Sequence, residues 1–208
     1  MTDPRPKIAV VDHGAGNLVS IAQGLERAGG AASVVAGPEE LTDADGVVLP
    51  GVGSTGSVME GIRSHGFEQP LKNLDVPLLG ICVGMQVLFD TSEEDGADCL
   101  GLIPGVVRRL VNAPTLPHIG WNDLGLTGHT DLFEGLDNPV VYFVHSYAPV
   151  PEDESVVTAY SDHGTRFVAG VRSGTVEGVQ FHPERSSSTG LRILSRFVAR
   201  CREAADAA

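Results

Sequence analysis

Short β-branched and apolar runs alternate with amphipathic stretches through the first half of the chain. Lys7 to Asp12 predicts a strand, Asn17 to Ala28 a helix closed by Gly29-Gly30, and Ala32 to Ala36 a second strand. Gly46 to Leu49 predicts a third strand, Val58 to Ser64 a helix, Val76 to Ile81 a fourth strand, and Gly84 to Phe89 the opening of another helix. These strand runs are almost continuously apolar, as in a parallel sheet with both faces covered, and the alternation makes the fold class α/β. The second half differs. Val106 to Val111, Val140 to Pro149, Val156 to Tyr160, Thr165 to Arg172 and Val176 to Phe181 are strand-like runs with short turns, which predicts an antiparallel or mixed part. Leu191 to Ala205 has the period of a closing amphipathic helix. No repeat or low-complexity linker interrupts the pattern, so residues 1–208 are expected to form a single domain.

Composition narrows the function classes. The 208 residues are 42% hydrophobic and 20% charged, which is a globular balance. A net charge of −13 argues against nucleic acid or an anionic membrane as the main partner, since both require clustered positive charge. The polar N-terminus and the short apolar run Ile8 to Val11 fit neither a signal peptide nor a membrane span, so a cytoplasmic location is expected. Three cysteines without disulfide spacing suit a reducing compartment, with Cys99 and Cys201 read as structural.

The remaining cysteine carries the chemistry. Cys82 lies in Gly80-Ile81-Cys82-Val83-Gly84, where an apolar strand meets a helical pattern. That is the spacing of a nucleophile elbow, with sulfur for oxygen and glycines where the backbone must approach closely. The start of a helix also favours a thiolate. His182-Pro183-Glu184 follows the run Val176 to Phe181, 100 residues after Cys82. It supplies a base and a carboxylate two positions apart, which an extended segment turns to one side. Pro50-Gly51-Val52-Gly53-Ser54-Thr55-Gly56 reads as an oxyanion loop whose backbone N–H groups, together with that of Val83, receive a developing negative oxygen. The same loop formally contains the dinucleotide fingerprint, with Asp75 as its acid, but that reading leaves Cys82, His182 and Glu184 idle. Among the other histidines, His13 and His118 fall in glycine-rich or turn contexts near possible interfaces, His145 ends a strand where it can line a pocket, and His65, His129 and His163 read as loop residues. No Cys/His spacing suggests zinc, and neither metal nor cofactor is expected.

With these residues in view, the chain resembles the class I glutamine amidotransferases over essentially its whole length. Within them it is similar to the glutaminase subunits of imidazole glycerol phosphate synthases. The motifs are the Cys82 segment continuing Met85-Gln86, His182 with Glu184, Leu49 to Gly53, Pro117 to Asn122, Phe143 to Tyr147 and Gly190 to Leu194. The resemblance implies a three-layer, flavodoxin-like fold with a central mostly parallel sheet and a smaller antiparallel part. It implies a Cys82–His182–Glu184 triad that hydrolyses glutamine, with Gln86, Glu94, Ser146 and Tyr147 holding the substrate. It also implies a heterodimer with a (β/α)8-barrel cyclase, which uses the ammonia to make imidazole glycerol phosphate and aminoimidazole carboxamide ribotide in histidine biosynthesis. Asn17, Trp121, Tyr142 and Arg185 are candidates for that interface and its ammonia gate, Trp121 because its surroundings look polar and turn-like. The chain departs from the family pattern at three places: Ser54-Thr55 replaces Ala-Phe, Arg185 replaces lysine, and His13 replaces tyrosine.

Overall fold

The computed structural model describes residues 5–127 and 131–207, so residues 1–4 and His129, expected to be a loop residue, lie outside it. Strands and helices alternate first: β1 (Lys7–Val11), α1 (Leu18–Arg27), β2 (Ala31–Val35), β3 (Gly46–Leu49), α2 (Thr55–Ser64), α3 (Glu68–Lys72), β4 (Leu78–Ile81) and α4 (Val83–Gln86). Strands then dominate: β5 (Thr91–Ser92), β6 (Ala97–Asp98), β7 (Gly105–Arg109), β8 (His118–Asp123), β9 (Gly125–Leu126), β10 (Val140–His145), β11 (Tyr147–Pro151), β12 (Val157–Asp162), β13 (Arg166–Ser173) and β14 (Val176–Val179), before α5 (Ser187–Ala207).

The main sheet has eight strands in the order β2-β1-β3-β4-β14-β13-β12-β9. The five from β2 to β14 run parallel, and the remaining three join antiparallel. β3 and β4 are buried along their whole length, as continuous apolar strands require. α1 and α5 lie against each other so closely that a Cβ on Gly24 would sit 2.9 Å from Leu194 Cδ1. Two smaller sheets complete the molecule: β10 with β8, and β11-β7-β5-β6. For function, the decisive pairing is β4 with β14, where Ile81 is in register with Val179. It brings the C-terminal ends of two strands distant in sequence side by side, at the sheet edge where α/β proteins build their sites.

Four local expectations differ from the structure. The helix after Cys82 ends at Gln86 instead of reaching Phe89. The run Val140 to Pro149 divides at Ser146 into β10 and β11, which belong to different sheets. The Gly120 to Asp123 context of Trp121, expected to be turn-like, lies in a strand, because β8 pairs with β10 from His118 to Asp123. α3 and the two-residue strands carry too few residues for a periodic signal.

Candidate active site

Cys82 sits at the turn from β4 into α4 with φ 56° and ψ −113°, a region that non-glycine residues rarely occupy. Strain of this kind persists only where the surroundings enforce it. They do so here through close backbone approach: a Cβ on Gly84 would overlap the Leu49 carbonyl, and one on Gly80 would lie 2.6 Å from the Gly84 oxygen. The Cys82 amide donates to the Val179 carbonyl at 2.8 Å, which ties the elbow to the end of β14. The sulfur lies 3.7 Å from the Val144 carbonyl and 3.7 Å from Gln180 Nε2.

His182 and Glu184 meet the elbow from β14. The ring Nδ1 is 3.0 Å from Glu184 Oε1, and the Glu184 side chain is fully enclosed. The contact is the expected one, but its backbone is not extended throughout, since Pro183–Arg185 forms a 3₁₀ turn after an extended His182. The His182 amide donates to the Tyr142 carbonyl at 2.9 Å and so anchors the base to β10. Burial alone would lower the imidazole pKa, but hydrogen bonds and charges from Cys82 and Glu184 outweigh it and raise the value to about 10. The imidazolium therefore holds a proton at neutral pH between a sulfur and a carboxylate. Cys99 and Cys201 have no such company, and burial pushes their thiols up to about 11 and about 12.

The Pro50 to Thr55 loop lies directly behind the elbow. A Cβ on Gly51 would sit 2.5 Å from the Gly84 nitrogen and 2.9 Å from the Val83 Cβ, so only glycine fits. Gly53 takes φ 94°, which its lack of a side chain allows. His13, expected near an interface, is instead buried, with Nε2 2.8 Å from the Pro50 carbonyl at the root of the loop. The dinucleotide reading fails on chemistry as well as shape. At the start of α2, the Thr55 amide donates to Glu94 Oε2 at 3.0 Å and the Gly56 amide to Asp95 Oδ2 at 3.2 Å. Two carboxylates occupy the place a phosphate would take, and Asp75 is exposed.

Among the expected substrate-binding residues, Gln86 and Tyr147 lie together. The Gln86 side-chain amide donates to the Tyr147 carbonyl at 2.9 Å and to Gln180 Oε1 at 3.0 Å. Both of its N–H hydrogens are engaged. Glu94 is half-buried at the α2 end of the oxyanion loop, where burial raises its carboxyl pKa. Ser146 bridges β10 and β11, and its carbonyl accepts from the Leu110 amide at 2.9 Å.

The interface candidates border the triad. Asn17, at the start of α1, lines one crevice with Gly51, Val52, His182 and Glu184. Trp121 and Arg185 line another that reaches Glu184. Trp121 is 54% exposed although it lies on a strand, and its ring meets Tyr142 edge-on at 5.9 Å. His118, also expected near an interface, is buried, and its Nδ1 lies 3.2 Å from His145 Nε2. His163 stacks on His118 with ring centroids 4.0 Å apart, and His65 caps the end of α2. Gln180 escaped the sequence reading altogether. Its one signal was a polar residue between two apolar ones just before the histidine.

A strained thiol elbow, a buried imidazole–carboxylate pair and a glycine loop on a mostly parallel sheet define a cysteine-dependent amide-hydrolase site. Comparison with known proteins agrees: the family model for "Glutamine amidotransferase class-I" matches residues 9–201, and the chain belongs to that family. Within it, the chain is 47% identical over 206 residues to the imidazole glycerol phosphate synthase subunit HisH of Nostoc punctiforme, covering 95% of this chain and 98% of that protein. The subunit of the same name from Halobacterium salinarum is 47% identical over 205 residues, with 93% of each chain covered. A crystal structure of a protein from Thermoplasma acidophilum shares the fold, with a TM-score of 0.76 at 23% identity over 98% of this chain and 97% of that one.

Proposed function

We propose that the chain is the glutaminase subunit of an imidazole glycerol phosphate synthase. The observation that carries this reading is Cys82 on its strained turn at the end of β4, beside the end of β14 from which His182 and Glu184 follow with Nδ1 and Oε1 3.0 Å apart. The Cys82 thiolate attacks the side-chain amide carbon of glutamine. The protonated His182 gives its proton to the departing ammonia, and water then cleaves the thioester with His182 as base. Glu184 fixes the ring orientation and supports its charge. The Val83 N–H and one N–H of Gly51-Val52-Gly53 hold the oxyanion. Gln86, Glu94, Ser146 and Tyr147 hold the rest of the glutamine. The eight-stranded sheet draws strands from both halves of the chain, which supports reading residues 1–208 as one domain.

The ammonia passes to a (β/α)8-barrel cyclase in a heterodimer docked over Asn17, Trp121, Tyr142 and Arg185. Exposed Trp121 beside the crevice that reaches Glu184 supports that placement. Among the described residues no helix is long and apolar enough to cross a membrane. The biosynthetic role of the complex is the ground on which we place it in the cytoplasm. The test is synthesis by the reconstituted complex. Cys82→Ala is expected to abolish glutamine-dependent synthesis and leave ammonia-dependent synthesis intact; retained glutaminase activity in that variant overturns the assignment.

A further inference from the structure

We propose that Gln180 is a further catalytic residue, whose side-chain amide donates a hydrogen bond to the Cys82 sulfur and stabilises it as thiolate. The inference rests on Cys82 being the nucleophile.

One backbone carbonyl determines the direction of this bond. The Tyr147 oxygen can only accept, so the Gln86 atom 2.9 Å from it is the nitrogen. The other hydrogen of that nitrogen points to Gln180 at 3.0 Å, so the Gln180 atom there is the oxygen. The Gln180 nitrogen is then left to face the Cys82 sulfur at 3.7 Å. Flipping Gln86 would set its oxygen against the Tyr147 oxygen, and flipping Gln180 would set its nitrogen against the Gln86 nitrogen, each at the cost of an unmade hydrogen bond in a buried site. Gln180 is fully buried, on the segment that carries His182. A neutral amide there has little reason to be buried among Val179 and Phe181 unless its donor is used.

The bond is worth more to an anion than to a thiol. The other uncharged neighbour of the sulfur, the Val144 carbonyl, can accept from S–H but repels a thiolate. α4 has only four residues, so its dipole gives the sulfur little support. The charged group facing the sulfur is His182, with Glu184 against the ring Nδ1 at 3.0 Å. Beyond them His145 on β10 is kept neutral by burial, with its pKa lowered to about 3. A fixed N–H aimed at the sulfur completes the set.

The test uses the full-length chain with iodoacetamide as probe, the alkylated peptide being assigned to Cys82 by mass, across pH. Gln180→Met keeps the volume and removes the donor. Its alkylation midpoint is expected to rise by about one pH unit, with roughly tenfold slower alkylation below the midpoint. Gln180→Glu, nearly isosteric, is expected to rise further, because it sets oxygen against the sulfur. Glutamine hydrolysis in the cyclase complex should lose about tenfold in kcat with KM little changed. A folded Gln180→Met with the wild-type alkylation profile overturns the proposal. Should that variant fail to fold, an unshifted Gln180→Glu overturns it equally. Cys82→Ala separates the two readings: if that variant hydrolyses glutamine as the wild type does, the nucleophile assignment falls with everything built on it, whereas an inactive Cys82→Ala beside unshifted Gln180 variants removes only the role of Gln180.

Discussion

Gly51 and Gly84 face each other at a separation that leaves no room for a side chain, since a Cβ added to Gly51 would lie 2.5 Å from the Gly84 nitrogen. The Pro50 to Thr55 loop, the proposed oxyanion loop, and the Cys82 turn are thus one packed unit. Gly51→Ala is expected to push the loop away and remove one oxyanion donor. That costs about 10²–10³ in kcat for glutamine hydrolysis, with ammonia-dependent synthesis by the complex unaffected. Steady-state assays with each nitrogen source check it, and an unchanged glutaminase rate would separate the loop from the chemistry.

Glu184 and His182 should not be equivalent under mutation. The carboxylate touches only the ring, while the ring faces the sulfur. His182→Ala is expected to cost roughly 10⁴ or more in kcat, and Glu184→Gln, which keeps the shape and loses the charge, distinctly less. Measured kcat values in the reverse order would mean that the pair is misassigned.

The chain alone should hydrolyse glutamine poorly and accelerate when the cyclase and its nucleotide ligand are added. The motive is the loop beside the elbow: Gly53 takes a left-handed backbone and Val52 is 39% exposed, so one peptide can reorient without unpacking the core. A single oxyanion donor is worth about 10²–10³ in rate, enough for control by one such peptide. Glutamate release by the lone chain, then with cyclase, then with cyclase and ligand, decides the matter; equal rates in all three would sink it.

Acid should weaken the fold through its buried histidines. Burial lowers the pKa of His118 to about 4, with His163 adding a smaller effect, and that of His145 to about 3. Both values lie below that of the unfolded chain, about 6.5, so the unfolded state binds more protons between those limits. The contribution of these two histidines is therefore complete above about pH 6.5 and falls as pH drops toward 4, by on the order of 2 kcal/mol per histidine at pH 5. His182 is shifted the other way and adds no slope below about pH 6.5. Melting curves from pH 4.5 to 7.5 should show the loss, and His145→Gln should flatten it. A variant with the wild-type slope would exclude these rings as its cause.

The parallel half of the sheet was legible because its strands are short, apolar and separated by amphipathic helices; Gly46 to Leu49 matches β3 end to end. The elbow and the His-Pro-Glu segment were legible because glycine and proline spacing records backbone geometry directly. β8 was hidden because its pattern is inverted, with His118 buried and Ile119 and Trp121 more than half exposed. The break at Ser146 was hidden because both strands flanking it are apolar, and only pairing partners distinguish them. Gln180 was hidden for a different reason. Its importance lies in which way an amide points, and that depends on the Tyr147 carbonyl and the Gln86 side chain, neither of which a linear pattern connects to it.

The pairing of β4 with β14 also bears on how the site comes into being. The nucleophile turn follows Ile81, but its base follows Val179, its neighbour in the sheet. Between them the chain supplies the strands of two other sheets and adds β9, β12 and β13 to this one. A folding chain that has formed only the first four strands carries a thiol with no imidazole beside it. Gln180, His182 and Glu184 follow β14 within five residues, so pairing of that one short strand with β4 brings all three to Cys82 together. The alkylation rate of that sulfur is thus expected to report whether β14 is seated in the sheet, without any added label.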